Sequence, residues 1–299
     1  MVRTTRMLAV AIAGLLVLAA CGGDDDDNTS ATQSQGNVTV GSADFPENVL
    51  LAEIYAQALE AKGYTVTKKL RIGAREAYYS QVQSGGVSVL PEYNGNLLVF
   101  ADKNATAKTT ADVDAALKTA LPPELEVLNS AQAEDKDSLT VTQETATQNN
   151  LKTMADLAPL APQFTVGGPP EFESRWAKTF QEVYGLNFKA YKALDVGGPL
   201  TVKALKDGDV QVANLFTTDP AIAANNFVVL EDPESVFPAQ NVTPLVHKGD
   251  LNQTGIDALN AVSAQLDTPT LADLVKQVVT DLKDPDQVAK EWLTAQGLV

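Results

Sequence analysis

Two α/β lobes facing each other across a cleft are the architecture this 299-residue chain predicts. Three observations carry it. Strands and helices alternate in both halves, one strand with its closing aromatic recurs 123 residues on, and a late strand heads back toward the first lobe.

The alternation begins at residues 37–41, Asn-Val-Thr-Val-Gly, which read as a strand. Residues 42–45 are a loop, and Pro46 suits a first helical turn. Leu50, Leu51, Ile54, Tyr55, Ala58 and Leu59 then hold helical spacing until Gly63 closes the helix. A strand over 64–72 and a helix over 75–83 lead to residues 85–96, Gly-Gly-Val-Ser-Val-Leu-Pro-Glu-Tyr-Asn-Gly-Asn. There Val87, Val89 and Leu90 make a buried strand, Pro91 is expected to stop its pairing, and Asn94-Gly95 to turn the chain. Tyr93 is left at the carboxyl end of the strand, where ligand crevices form in α/β sheets. A helix over 111–120 and strands over 125–128 and 139–142 follow.

The second half repeats the order. It reads as a strand at 163–167, a glycine-proline loop at Gly168-Pro-Pro-Glu-Phe172, a helix at 175–184, a strand at 187–193 and a helix at 200–206. The strand at 210–216 is the internal repeat. Gly208-Asp-Val-Gln-Val-Ala-Asn-Leu-Phe216 matches Gly85-Gly-Val-Ser-Val-Leu-Pro-Glu-Tyr93 in its glycine, two valines and final aromatic. Tyr93 and Phe216 are therefore expected to face each other across the cleft. Residues 242–247 read as the returning strand and 250–292 as a helical tail. Residues 37–138 with 243–299 then form a discontinuous first lobe and 139–242 a second, hinged by two crossings.

The first residues differ in kind. Arg3 and Arg6 precede an apolar run over 7–20 and the sequence Leu18-Ala-Ala-Cys21-Gly-Gly, so residues 1–20 read as a secretory signal. Cys21 is the only cysteine, which excludes an intramolecular disulfide, and its setting resembles the bacterial lipobox that carries a membrane-anchoring lipid. Residues 21–36, with four consecutive aspartates, have almost nothing to bury and are expected to be a disordered tether. Residues 1–20 hold no acid, so losing Arg3 and Arg6 takes the net charge from −16 to −18. Such acidity argues against nucleic acid as a partner.

Enzyme chemistry has little material. The single histidine, His247, falls in an apolar strand, and with no thiol beyond Cys21 a histidine triad or zinc site has almost no material. No catalytic residue, metal or cofactor is expected. Binding is better supplied. Tyr93 and Phe216 offer faces to a quaternary ammonium, and Arg175 offers a fork for a carboxylate. Asn96 and Thr217-Thr218-Asp219 converge where helices would start. Tyr78, Tyr79, Trp176 and Trp292 read as packing.

The same residues carry a family resemblance. Gly41-Ser-Ala-Asp-Phe-Pro-Glu-Asn48, Gly73-Ala-Arg-Glu76, Pro91-Glu-Tyr-Asn-Gly-Asn96, Gly168-Pro-Pro-Glu-Phe172 with Arg175, and Phe216-Thr-Thr-Asp219 occur in order. Together they resemble the substrate-binding lipoproteins of ABC importers for glycine betaine, choline, carnitine and related osmoprotectants. The resemblance implies a two-lobed periplasmic-binding-protein fold of type II, with a mixed sheet in each lobe. It also implies a monomer that delivers a small solute to permease and ATPase subunits at the membrane. By motif, Tyr93 corresponds to a tyrosine of the ammonium cage, with Phe216 in place of another. Arg175 corresponds to a carboxylate-binding arginine, Asn96 replaces a threonine, and Asp44 and Asn48 belong to the first binding loop. Two further cage tyrosines fall at Leu139 and Val202, and a lysine of the first loop at Ala43. A cage cut from four aromatics to two loses most of its cation–π attraction. The same fold serving an unrelated solute (a polyol, an amino acid or an aromatic compound), or a lipoprotein acting as sensor or scaffold, are the alternatives.

Overall fold

The computed structural model describes residues 35–73, 75–195 and 197–299. The expected signal, Cys21 and nearly all of the tether lie outside the described residues.

In chain order the elements are β1 (Gly36–Gly41), α1 (Pro46–Glu60), β2 (Tyr64–Lys69), α2 (Arg75–Gln83), β3 (Val89–Tyr93), α3 (Asn94–Ala101), α4 (Thr110–Ala120) and β4 (Leu125–Val127). The second sheet begins with β5 (Asp137–Thr142), α5 (Gln143–Asn149), β6 (Thr165–Gly168), α6 (Pro170–Tyr184), β7 (Ala190–Ala193), α7 (Pro199–Lys206), β8 (Val212–Phe216), α8 (Pro220–Ala224) and β9 (Phe227–Val229). Then come β10 (Val242–His247), α9 (Gln253–Gln265), α10 (Thr268–Val279) and α11 (Pro285–Ala295).

The strands form two five-stranded mixed sheets, ordered β2-β1-β3-β10-β4 and β7-β6-β8-β5-β9. The internal repeat is thus spatial. β3 and β8 are the middle strands of their sheets, each parallel to one neighbour and antiparallel to the other. The α/β two-lobed expectation holds. The chain passes between sheets twice, after β4 and after β9, and the two crossings pair with each other. Glu134 bridges Asn241, and the Val242 and Ala131 amides bond to Ala133 and Val242 carbonyls at 2.9 and 2.8 Å.

Buried apolar surface explains the layers. In α1, residues Leu50, Leu51, Ile54 and Leu59 are wholly buried, because the helix is sandwiched between its sheet and the C-terminal helices α9 to α11. The second lobe uses aromatic rings instead. Phe180 and Trp176 meet Phe237 edge-on at 5.7 and 5.1 Å, the geometry ring quadrupoles favour.

Three local expectations are corrected. Pro91 does not stop β3; it lies within the strand, opposite Pro244 of β10. Two prolines tolerate that register because hydrogen bonds between β3 and β10 fall on alternate pairs, such as Asn94 with Asn241 and Ser88 with His247, leaving Pro91 and Pro244 a pair that exchanges none. Asn94-Gly95 does not make a turn but opens α3, since Gly95 lets the helix touch the second crossing: an added Cβ would sit 2.1 Å from the Ala239 carbonyl oxygen. The glycine-proline loop is largely helix, because Pro170 occupies the first helical position of α6.

Candidate functional site

The carboxyl ends of β1 and β3 build one wall. Asn48, fully buried, brackets the first loop to β3: its Oδ1 accepts the Ala43 N–H at 2.7 Å and its amide donates to the Pro91 carbonyl at 2.8 Å. The bracket stacks Phe45 on Tyr93, with ring centroids 6.1 Å apart. It also sets Glu47, in the first turn of α1, to accept the Tyr93 hydroxyl at 2.5 Å.

Tyr93 is held from behind as well. The Glu92 carboxylate, entirely buried, accepts both nitrogens of the Arg75 fork at 2.8 Å, the Tyr78 hydroxyl at 2.8 Å and the Tyr93 N–H at 3.0 Å. A bidentate arginine with two further donors satisfies a buried carboxylate almost completely. The Gly73-Ala-Arg-Glu76 and Pro91-Glu-Tyr-Asn-Gly-Asn96 motifs therefore hold each other.

The end of β8 builds the facing wall. Thr217 ties this wall to the first crossing: its hydroxyl donates to the Glu134 carbonyl at 2.6 Å and accepts the Lys136 N–H at 3.1 Å. The Thr218 hydroxyl donates to Asp135 at 2.8 Å. Asp219 caps α8, accepting the Ala221 N–H at 2.8 Å.

Between the walls lies a cavity of about 740 Å³ lined by Phe45, Glu47, Asp135, Phe216, Asp219 and neighbours. A second, of about 600 Å³, shares Asp135 and Phe216 and is lined also by Asn96, Lys108, Lys136, Arg175 and Trp176. The two differ in charge. Acids line the first with no lysine or arginine among its described residues, whereas the second carries the cations.

Burial, reinforced by the negative charge of Asp135, pushes the Glu47 carboxyl up to about 8. Asp135 is pushed up to about 6, chiefly by burial; Asp137 and Asp219 add to this and the Thr218 hydrogen bond opposes it. Burial also raises Asp219, and burial beside Glu47 raises the Tyr93 phenol.

The residues singled out from sequence are distributed as follows. Phe216 and Asp219 line the first cavity with Thr218. Tyr93 stands behind Phe45, only 6% exposed, so the ring opposite Phe216 at the cavity wall is Phe45. Asn96 and Arg175 line the second cavity, the arginine more than half exposed and 3.9 Å from Asp137. Asp44 points outward to Arg71 at 3.0 Å, and the Asn48 and Thr217 polar groups are engaged as described. Val202 lines the first cavity, while Leu139 is fully buried in the second lobe. Trp176 packs on Phe237 but also lines the second cavity. His247 closes β10 with its Nδ1 3.1 Å from Asp250.

Sequence reasoning missed Phe45, Glu47 and Asp135. The first two stand inside the Gly41-Ser-Ala-Asp-Phe-Pro-Glu-Asn48 motif, a signal that could have found them. Asp135, one of 38 acidic residues, carried no local signal.

Comparison with known proteins shows the family to which this fold belongs. Residues 36–295 match the family described as the substrate binding domain of ABC-type glycine betaine transport system. The glycine betaine-binding protein YehZ of Escherichia coli is 29% identical over 281 residues, spanning 89% of this chain and 92% of that protein. A glycine-betaine-binding protein of Pseudomonas aeruginosa is 25% identical over 280 residues, with 87% and 88% covered. A solved structure described as a glycine betaine/carnitine/choline ABC transporter has the same fold, with a TM-score of 0.82 at 21% identity over 89% of this chain and 99% of that one. Since the family match runs from the first strand into the last helix, the chain belongs to that family, as an extracytoplasmic solute-binding component of a compatible-solute ABC importer and not an enzyme.

Proposed function

We propose that the cavity between Phe45 and Phe216 binds a quaternary-ammonium compatible solute such as glycine betaine or choline. The observation that carries this reading is the pair of aromatic rings on opposite walls of a cavity whose charged lining is wholly acidic. An ammonium against a desolvated ring gains about 2 kcal/mol, and the carboxylates add Coulombic attraction in a dry site. Where the solute has a distant carboxylate, Arg175 and Lys108 in the adjoining cavity are its available partners.

Residues 37–138 with 243–299 and residues 139–242 would move as two bodies about the paired crossings, and closure would bury the solute. Thr217 and Thr218 support this as links between β8 and the first crossing. Delivery to the permease would take place at the membrane, with a lipid on Cys21 as the anchor, residues 21–36 as the tether and the protein acting as a monomer.

Calorimetric titration with glycine betaine, choline, carnitine and proline betaine tests the assignment. Saturable binding of at least one supports it. Heat and thermal shift absent with all four would overturn it and favour an unrelated solute.

A further inference from the structure

The charge at the ammonium end of the cleft comes from carboxylates that line one cavity. Glu47 opens α1 in the first lobe, and Asp135 lies in the first crossing. Thr218 lines the same cavity as both and donates to Asp135 at 2.8 Å. The Tyr93 hydroxyl donates to Glu47 at 2.5 Å. Glu47 is only 6% exposed, and Asp135 keeps part of its surface open to the cavity although it lies deep between the lobes.

Neighbouring charges do not relieve this pair. From β3 comes the Tyr93 phenol, from β5 Asp137, and from the start of α8 Asp219. Glu134 and Lys136, on the same crossing as Asp135, neutralise each other at 2.7 Å. Asp44 pairs outward with Arg71, and Asp195 is spent capping α7. From α10 the lining residues are the uncharged Val275, Val279 and Thr280, while Lys276 is bound to Asp281 at 2.7 Å. Lys108 and Arg175 line the adjoining cavity, which Asp135 also borders, but neither forms an ion pair with Asp135, and Arg175 stands 3.9 Å from Asp137. Two buried carboxylates on one cavity, neither with an ion-pair partner among the described residues, cannot both ionise cheaply, so the empty cavity retains a proton.

We propose that Glu47 and Asp135 form a proton-linked receptor for the ligand's positive charge, so that a cationic solute such as choline displaces one proton on entering. On this basis choline is preferred to glycine betaine, whose carboxylate, one methylene from the ammonium, would enter the acidic cavity without a cation to meet it. The inference rests on the quaternary-ammonium reading above. The step balances simply: the carboxylic O–H bond breaks, the proton passes to solvent, and the carboxylate left behind faces the ammonium. Affinity therefore rises with pH, approaching tenfold per unit below about pH 8 and levelling above it. Acidity releases the ligand.

The test is calorimetric titration of the full chain with choline and with glycine betaine near pH 6 and pH 8, each in buffers of low and high ionisation enthalpy so that protons are counted. Expected are at least tenfold tighter choline binding at the higher pH, release approaching one proton near pH 6, and choline bound more tightly than glycine betaine. Glu47→Gln preserves shape and should remove most of the proton release and of the pH dependence, leaving only the part carried by Asp135 near pH 6. Should that variant not fold, Asp135→Asn should reduce proton release instead. Choline binding of equal strength at both pH values, or undiminished proton release in the variants, overturns the proposal. Tighter, pH-independent binding of glycine betaine would remove this inference alone. Failure of both solutes and of carnitine and proline betaine would remove the quaternary-ammonium reading and this inference with it.

Discussion

Replacing Arg75 by alanine tests how the ring of Tyr93 is held. The Glu92 carboxylate has no exposed surface and accepts four hydrogen bonds, two of them from Arg75 at 2.8 Å. Removing one member of a buried ion pair leaves an uncompensated charge and costs about 3–5 kcal/mol. Here the lower end applies. The Arg75 side chain keeps 21% of its surface exposed, so water can enter the vacated space, and the Tyr78 hydroxyl and Tyr93 N–H still donate. A loss of about 3 kcal/mol corresponds to a fall in Tm of roughly 6–12 °C for a chain of this size. Urea unfolding should show it as a lower midpoint at unchanged slope, with separate transitions fitted separately if the lobes unfold independently. Arg75→Met combined with Glu92→Gln removes both charges and should recover most of the loss. A change below about 1 kcal/mol in Arg75→Ala, with no recovery in the double variant, would refute the reasoning.

Stability of the ligand-free protein should decline as pH rises. Glu47 and Asp135 hold protons more tightly folded than unfolded, so their contribution is complete below their ordinary carboxylate range and is lost through about pH 6 and pH 8; denaturation across that window should show the slope, and Glu47→Gln should flatten it. Phe45→Ala and Phe216→Ala should each weaken quaternary-ammonium binding by roughly thirtyfold, the equivalent of about 2 kcal/mol of lost cation–π attraction, in calorimetry at fixed pH. Gly95→Ala would place a methyl 2.1 Å from the Ala239 carbonyl oxygen, so α3 or the second crossing must shift; a loss of about 1–3 kcal/mol is expected by thermal unfolding.

Much of the fold is legible locally. The helical spacing from Leu50 to Leu59 found α1, and the alternating Val38 and Val40 found β1, because one buried face leaves its period in the sequence. Pro91 misled for a definite reason: proline forbids donation, not pairing, and only the partner strand reveals that its opposite is Pro244. Gly168-Pro-Pro misled similarly, since a proline after a glycine marks a loop or a first helical turn equally well. At the site, the repeated aromatics Tyr93 and Phe216 were visible, but which ring meets the cavity was not. That depends on Asn48 folding the first loop back so that Phe45 covers Tyr93.

By itself, then, the sequence determined an α/β chain with two equivalent strands ending in aromatics and an ordered set of motifs. Periodicity, turn chemistry and motif order are local properties that survive without coordinates. Tertiary structure alone decided the charge of the cleft. Glu47 and Asp135 are 88 positions apart, and they become neighbours only when the crossing between sheets passes the start of α1. Repulsion and desolvation depend on that distance and on the water excluded around it, neither of which is written in the order of the residues.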